Sequence, residues 1–269
     1  MIDKNEFDFV VQQVTANPKY QHIAESLINR LSDEAINKGL TGRSTVKYVR
    51  NKLHQVGGAY FKKTIDYTTA RNILEKLPKD LGSDHIKSFC QEMMRMHSST
   101  AERLPILEDF FHTCLAPIAP VTSILDLACG LNPLAIPWMP LADGVQYFAC
   151  DIYLDMLAFI NRFFKDFNLA GTTKPCDLVA ELPVETTQVT FFLKSIPCLE
   201  QLDKAIAMRL LDQIESTHIL VSFPVHSLGG RNKGMQDFYR EHFLDLISGR
   251  SWEINEFLFN TELAFLVSK

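Results

Sequence analysis

The sequence lacks the features of a membrane-spanning, secreted or metal-stabilised protein. None of its apolar runs is longer than a strand, whereas a membrane helix needs about 20 apolar residues. The six cysteines form no C-x-x-C pair and have no histidine at ligand spacing, which argues against a zinc site and a disulfide framework. Acidic residues occupy the amino terminus, where a secretory signal would be basic. We therefore expect a globular cytoplasmic protein without a membrane anchor or a bound metal.

Acidic residues are missing from one stretch of a chain whose net charge is −5. Through residue 109 there are 16 Lys and Arg against 14 Asp and Glu, whereas the remainder has 11 against 18. Residues 35–65 contain seven Lys and Arg and no Asp or Glu. Such a segment attracts phosphates through counterion release, although it is also compatible with an ordinary solvated helix face. Charge alone leaves both interpretations open.

The hydrophobic pattern divides the chain into a helical part and an α/β part. Apolar residues recur at helical spacing through residues 4–90, and helices are also predicted over 47–60 and, with an interruption near 98–100, over 84–115. The later segments alternate between strands and helices. The predicted strands span 123–127, 146–151, 189–194, 218–223, 252–259 and 261–267, and the predicted helices 154–167 and 200–214. We expect a mostly parallel sheet with an antiparallel C-terminal hairpin, and domains at 1–83 and 84–269.

The first predicted strand runs into a turn suited to close contact with a ligand. Residues 124–133 read ILDLACGLNP, so small Ala128 and Gly130 follow the strand directly. Open α/β sheets bind ligands at the carboxyl ends of their strands. A dinucleotide site would need G-x-G-x-x-G, but Gly130 is the only glycine here, and no P-loop motif occurs elsewhere. A ligand without a phosphate is therefore favoured over NAD or ATP.

Two further acids occur at the ends of later segments of the predicted sheet. Asp151 ends the second predicted strand, 25 residues after Asp126, and Asp177 follows after another 26 residues. An acid in the first of these places can accept both hydroxyls of a ribose. Each aspartate alone is more simply explained as a loop or helix cap. Together, however, this succession resembles the class I S-adenosylmethionine-dependent methyltransferases.

A narrower resemblance rests on six segments of the chain. They are KLHQ at 52–55, HSSTAER at 97–103, LDLACGLNPL at 125–134, LKSIP at 193–197, SFP at 222–224 and SLGGRNKGM at 227–235. Together they resemble the aminoglycoside-resistance 16S ribosomal RNA methyltransferases of the Arm/Rmt type. That family methylates N7 of guanosine 1405 in the decoding site of the 30S subunit. The resemblance spans most of the chain but not its first 45 or so residues.

The resemblance implies a set of cofactor-binding residues for S-adenosylmethionine. They are Thr100, Arg103, Ala128, Gly130, Asp151, Asp177, Leu193 and Lys194. In this arrangement Arg103 pairs with the methionine carboxylate, for which a bidentate guanidinium is well suited. Asp151 holds the ribose and Asp177 the adenine. Without the resemblance, Arg103 would be expected in a surface ion pair with Glu102 or Glu108.

The resemblance also implies how the 30S subunit and its 16S rRNA are contacted. The implied RNA-binding residues are Lys47, Arg50, Lys52, His54, Arg231, Lys233 and Met235. Lys194, Arg231 and Met235 are expected near the methyl transfer. No residue is assigned as a general base, because guanine N7 has an in-plane lone pair and no proton to lose. Alignment of the reactants then provides the catalysis.

Two other functions are compatible with parts of this sequence. A class I methyltransferase could act on another RNA, a protein or a small molecule, although the basic segment and the Arg231 loop argue against it. A catalytically silent RNA-binding factor could share the fold, but it would not need Asp126, Gly130, Asp151 and Asp177. The methyltransferase acting on 16S rRNA is therefore the favoured hypothesis.

Overall fold

Helices form the first part of the chain and alternate with strands in the rest. The computed structural model describes residues 4–58, 60, 61, 63–225 and 234–269. The helices within these ranges are α1 (Lys4–Thr15), α2 (Glu25–Asn37), α3 (Arg43–Leu53), α4 (Tyr67–Lys76), α5 (Asp84–Met94), α6 (Ser98–Arg103), α7 (Leu107–Leu115), α8 (Leu154–Asp166), α9 (Ile196–Leu199), α10 (Ile206–Gln213) and α11 (Met235–Leu246). A π-helical turn, His54–Gly58, continues α3. None of the described helices combines the length and apolarity needed to cross a membrane.

The sheet has the mixed topology that the sequence predicts. Its strands are β1 (Val121–Leu127), β2 (Leu141–Asp151), β3 (Ala170–Pro175), β4 (Val189–Leu193), β5 (His218–Pro224), β6 (Glu253–Leu258) and β7 (Glu262–Ser268). They are arranged in the order β3-β2-β1-β4-β5-β7-β6. Strands β1 to β5 pair in parallel, and β7 pairs antiparallel with both β5 and β6. The predicted parallel sheet with an antiparallel C-terminal hairpin is confirmed.

Some predicted elements have different bounds in the structure. The predicted helix over 200–214 is wrong in its first part, because Asp203 accepts a hydrogen bond from the Ala205 amide in a turn and α10 begins only at Ile206. The helical stretch predicted over 84–115, with an interruption near 98–100, consists of three helices, α5, α6 and α7, which are separated at 95–97 and 104–106. Strand β3 has no sequence prediction because it is a polar, mostly exposed edge strand without an apolar run.

The amino-terminal helices pack directly on the sheet and its helices. The ring of Tyr67 in α4 lies 5.3 Å from that of Phe159 in α8. The Ala24 amide donates to the Ile152 carbonyl at 2.8 Å, next to the end of β2. Apolar residues of both parts share one continuous core. The division of labour between residues 1–83 and 84–269 stays a prediction, but the two parts are in close contact.

Candidate functional site

A cavity opens at the carboxyl ends of β1, β2 and β4, where parallel sheets of this kind bind ligands. Five of the predicted cofactor residues contribute to its wall: Ala128, Asp151, Asp177, Leu193 and Lys194. The cavity is also lined by residues that were not predicted to bind the cofactor, among them Leu27, Tyr60, His97, Tyr153, Ser195 and Cys198. The structure therefore brings together residues from the helical part and from several strand ends.

The backbone is strained around this cavity. Ala128 and Lys194 have positive φ angles of 51° and 56°, which non-glycine residues rarely adopt. Gly130 has a φ of 51°, and a Cβ atom added there would lie 2.8 Å from Cε1 of His97. Glycine is thus required at residue 130 by both conformation and space. Strain of this kind is concentrated at functional sites.

Asp151 is held by the turn that follows β1. Its Oδ2 atom accepts the Gly130 amide at 2.9 Å, and its Oδ1 atom accepts the amides of Ile152 and Tyr153 at 2.7 and 3.3 Å. Burial raises the pKa of this carboxyl, and the three backbone donors oppose the rise. A carboxylate has about four lone-pair positions, so Oδ2 can accept one more donor. This is the property that the predicted ribose contact needs.

Asp177 is paired with an arginine from the helical part. Nε of Arg30 lies 2.5 Å from Oδ2 of Asp177, and Nη2 lies 3.3 Å from Oδ1. The amide of Val179 also donates to Oδ1 at 3.1 Å. Arg30 is 147 residues away in the chain, so no local sequence pattern links it to this site.

Asp126 supports the turn from beneath and is buried outside the cavity wall. Its Oδ2 atom accepts hydrogen bonds from Asn132 Nδ2 at 2.8 Å and from the Tyr147 hydroxyl at 2.6 Å. Burial raises the pKa of Asp126 to about 7, against the effect of these two donors. Its bond to Asn132 connects the end of β1 to the far side of the 128–132 turn.

Arg103 lies behind the cavity and is almost completely buried. Its Nη2 atom lies 2.5 Å from Oε1 of Glu262, and its Nε atom contacts both oxygens of the same carboxylate. Its Nη1 atom donates to Asn132 Oδ1 at 3.0 Å. The ion-pair partner of Arg103 is therefore Glu262, a residue of β7, and not Glu102 or Glu108.

Thr100, three residues before Arg103, donates to the Met94 carbonyl at 2.7 Å. The contact of Arg103 with a cofactor carboxylate stays a prediction.

Glu262 connects Arg103 to Lys194 in the cavity wall. Nζ of Lys194 lies 3.2 Å from Oε2 of Glu262 and 3.0 Å from Oε2 of Glu102. The hydroxyl of Ser222 donates to Glu262 at 2.6 Å. Burial alone would raise the pKa of Glu262, but Arg103 and Lys194 beside it hold the pKa below its usual value. The sequence gives no sign of this residue, because it lies 159 positions from Arg103.

Three buried polar atoms in the wall have no hydrogen-bond partner among the described residues: His97 Nδ1, Ser195 Oγ and the Tyr153 hydroxyl. Burial lowers the pKa of His97 to about 4, helped by Lys194 and Arg103, so its imidazole is neutral at pH 7. Buried polar groups are normally paired. The three unpaired atoms lie in the same wall as two carboxylates and several apolar side chains. This combination fits a ligand that is polar at several points, as S-adenosylmethionine is.

The predicted RNA-binding residues of α3 differ in their surroundings. Lys47 is exposed and makes no ion pair with any described residue. Arg50 donates to the Gln13 carbonyl of α1. Lys52 donates to the Gln201 carbonyl at 2.9 Å, which joins α3 to the loop before α10. Lys47 is therefore free to contact a partner, whereas the other two also connect parts of this chain.

The remaining predicted RNA-binding residues lie at the π-helical turn and in the segment before α11. His54 is exposed, with its Nδ1 atom 3.2 Å from Nζ of Lys19. Arg231 and Lys233 are outside the described residues, and Met235 is the first residue of α11. Over the described ranges, no group of His, Cys, Asp and Glu side chains is arranged to hold a metal ion.

Relatives of known function match this chain over nearly its whole length. It is 32% identical over 273 residues to the 16S rRNA (guanine(1405)-N(7))-methyltransferase of Micromonospora echinospora, with 99% of this chain and 98% of the relative covered. It is 30% identical over 268 residues to the enzyme of the same name from Frankia casuarinae, with 97% and 93% covered.

Solved structures share the fold. The structure of the 16S rRNA methyltransferase RmtF in complex with S-adenosyl-L-homocysteine superposes with a TM-score of 0.84 at 24% identity, covering 100% of both chains. The structure of the 16S rRNA methylase RmtB gives 0.78 at 24% identity, with 98% of each chain covered. The expected class I methyltransferase fold is thus confirmed. A family model described as "Ribosomal RNA methyltransferase (FmrO)" matches residues 16–266, and the chain belongs to this family.

Proposed function

We propose that the protein transfers the methyl group of S-adenosyl-L-methionine to N7 of guanosine 1405 of 16S rRNA in the 30S subunit, and thereby confers aminoglycoside resistance. The observation that carries the proposal is the cavity at the strand ends, with Ala128, Asp151 and Asp177 in its wall. It occurs in a chain of an rRNA methyltransferase family whose relatives are named for this reaction. An rRNA substrate also implies that the protein works in the cytoplasm.

Residues of α2 and of several strand ends would hold the nucleoside part of the cofactor. The remaining lone pair of Asp151 Oδ2 suits a ribose hydroxyl, and Asp177 suits the exocyclic amine of adenine. Leu27, Leu178 and Leu193 provide apolar surface for the flat faces of the base. When bound, S-adenosylmethionine supplies an electrophilic methyl group on a sulfonium.

The methionine end would lie towards Gly130 and Lys194. Glycine at residue 130 lets the His97 ring pack against the turn, and the neutral His97 can accept a hydrogen bond from a ligand in the cavity. Arg103 uses one hydrogen of each terminal nitrogen for Glu262 and Asn132, and a guanidinium carries a second hydrogen on each. These hydrogens support the proposed contact of Arg103 with the methionine carboxylate, with Thr100 holding α6 in place.

The transfer itself needs alignment more than proton chemistry. Guanine N7 attacks with its own lone pair, so the protein has to hold this atom in line with the bond that breaks. In A-form RNA, N7 faces a deep, narrow groove that side chains cannot enter, so the base has to be extruded or met in distorted RNA. Tyr60 and Tyr153 offer aromatic surface in the cavity wall, on which an extruded base could stack.

The rRNA would be held mainly by the basic surface of the helical part. Arg43 and Lys47 are exposed on α3, beside a groove between α1 and α3 that is also lined by Phe9 and Gln13. Cations there favour phosphates. Arg50, Lys52 and His54 extend this surface. Arg231, Lys233 and Met235 are proposed to contact the target nucleotide near the methyl transfer.

The direct test is transfer of labelled methyl from S-adenosylmethionine to purified bacterial 30S subunits, with naked 16S RNA in parallel. Borohydride and aniline then cleave the RNA at any 7-methylguanosine. We expect a single cleavage at guanosine 1405 in the 30S sample. Cleavage at another position, or no transfer despite cofactor binding, would contradict the proposal and indicate a class I methyltransferase for another RNA or a small molecule.

A further inference from the structure

An ion pair joins the second helix of the chain to the wall of the cavity. Arg30 of α2 holds Asp177 through two hydrogen bonds, Nε to Oδ2 at 2.5 Å and Nη2 to Oδ1 at 3.3 Å. The side chain of Asp177 is 5% exposed and that of Arg30 is 25% exposed. A two-point guanidinium contact fixes the plane of a carboxylate as well as its position.

Arg30 reaches Asp177 from outside the cavity. Asp177 is part of the cavity wall, and so is Leu27, which lies one turn before Arg30 on α2. Among the described residues that form the wall, Arg30 itself is absent. Oδ1 of Asp177 accepts hydrogen bonds from Arg30 and from the Val179 amide, whereas Oδ2 accepts one from Arg30 and from no other described residue. Oδ2 therefore keeps a lone pair for a donor in the cavity.

Arg30 is itself held from the other side. Nη1 lies 3.9 Å from Oε2 of Glu34, one turn further along α2. Oε1 of Glu34 accepts hydrogen bonds from the Tyr48 hydroxyl of α3 at 2.5 Å and from Lys38 Nζ at 2.6 Å. The guanidinium is thus fixed between Asp177 and a polar group that connects α2 with α3.

We propose that Arg30 is a positioning residue of the cofactor site. It fixes the Asp177 carboxylate so that the free lone pair on Oδ2 accepts a hydrogen bond from the exocyclic amine of adenine. This inference rests on the proposed function, because it assumes that the cavity holds an adenosyl cofactor. It gives the helical part a role beyond RNA binding, since a residue of α2 then sets the cofactor's affinity and its preference for adenine.

The alternative role for Arg30 is a clamp that merely fastens α2 to the α/β part. The two roles differ in how they depend on the ligand. A clamp changes the shape of the whole pocket and affects every ligand similarly. A positioning residue acts through one hydrogen bond, so its removal affects only ligands that make this bond.

The experiment is calorimetric titration of two ligands into the wild type and three variants. The ligands are S-adenosyl-L-homocysteine and S-inosyl-L-homocysteine, which has a carbonyl oxygen in place of the exocyclic amine. The variants are Arg30→Ala, Arg30→Lys and, as a control, Arg162→Ala, which removes an exposed arginine paired with Glu75 and Asp166. Thermal unfolding of each variant, measured without ligand, shows that the fold is kept.

We expect Arg30→Ala to weaken binding of the adenosyl ligand about tenfold, the usual effect of one charge-assisted hydrogen bond. Its affinity for the inosyl ligand should change less than about twofold, because that ligand has no amine to donate. Arg30→Lys should recover part of the loss, and Arg162→Ala should bind as the wild type does. Because Arg30→Lys keeps a cation at this position, it provides the comparison if the alanine variant unfolds.

Equal losses for the two ligands would overturn the proposal in favour of a clamp. Unchanged binding of the adenosyl ligand by a folded Arg30→Ala variant would also overturn it. If the wild type bound neither ligand, the proposed function would fail together with this inference. Binding of the adenosyl ligand by the wild type, without an effect of Arg30, would contradict the inference alone.

Discussion

Charged residues are used in two contrasting ways in this molecule. Behind the strand ends, Arg103 and Lys194 are buried around Glu262, and each of them is paired. On the outer surface of α3, Arg43 and Lys47 are exposed, and neither pairs with an acid of the described residues. The first arrangement holds buried charged groups in fixed positions, whereas the second leaves charge available to a polyanion.

The loss of folding stability on removing a charged residue differs between the two arrangements. Breaking a buried ion pair leaves an uncompensated charge in a medium of low polarity, which destabilises a protein by about 3–5 kcal/mol. An exposed charge contributes about 0–1 kcal/mol to stability, and salt screens it. Substitutions behind the strand ends should therefore affect folding, and substitutions of Arg43 and Lys47 on α3 should affect binding only.

The largest effect is expected from Glu262→Ala. This change leaves both Arg103 and Lys194 without their shared carboxylate, so it should lower the free energy of unfolding by about 3–5 kcal/mol. Urea denaturation followed by circular dichroism measures it. Glu262→Gln should cost less, because its side-chain oxygen can still accept the Ser222 hydroxyl.

Glu256→Ala is the matched control for this prediction. Glu256 lies on the neighbouring strand β6 and pairs with Arg240 at the surface, where its side chain is 35% exposed. Its loss should cost less than about 1 kcal/mol. Similar losses for Glu256 and Glu262 would remove the contrast between the two kinds of charge.

A smaller effect is expected from reversing the charges of α3. The double variant Arg43→Glu/Lys47→Glu should weaken binding to 30S subunits at least about tenfold at low salt, because each lost phosphate contact removes counterion release. Affinity for S-adenosyl-L-homocysteine should stay unchanged. Arg50 and Lys52 are less suitable for this test, since both also bond to backbone carbonyls of this chain.

The control reverses two exposed lysines on α4 and α8, Lys76→Glu/Lys165→Glu. Filter binding at two salt concentrations compares both double variants with the wild type. An equal loss in the control would mean that only net charge matters. A loss of cofactor affinity in the α3 variant would mean that its charges also support the cavity.

Local sequence patterns predicted most of the sheet and part of the site. The apolar runs of β1 and β4 and the hairpin at the end of the chain are visible in the sequence, because burial on the sheet needs consecutive apolar residues. Asp151 and Asp177 are predicted as site residues because strand ends are where ligands bind in this topology, and both line the cavity. Strand β3 was missed since an exposed edge strand needs no apolar run.

The partners of the site residues could not be predicted. Arg30 pairs with Asp177 across 147 positions, and Glu262 pairs with Arg103 across 159 positions. Only the folded chain brings such residues together, and no short motif records the contact. The positive φ angles of Ala128 and Lys194 are equally hidden, because neither residue type indicates a left-handed conformation.

Calorimetric titration of S-adenosyl-L-homocysteine into the wild type, Asp151→Ala and Asp151→Asn tests whether the cavity is the cofactor site. If the cavity is the cofactor site, the wild type should bind, and both folded variants should lose affinity at least about tenfold, since a charged acceptor for the ribose is gone. Binding by a folded Asp151 variant with wild-type affinity would contradict the assignment of this cavity.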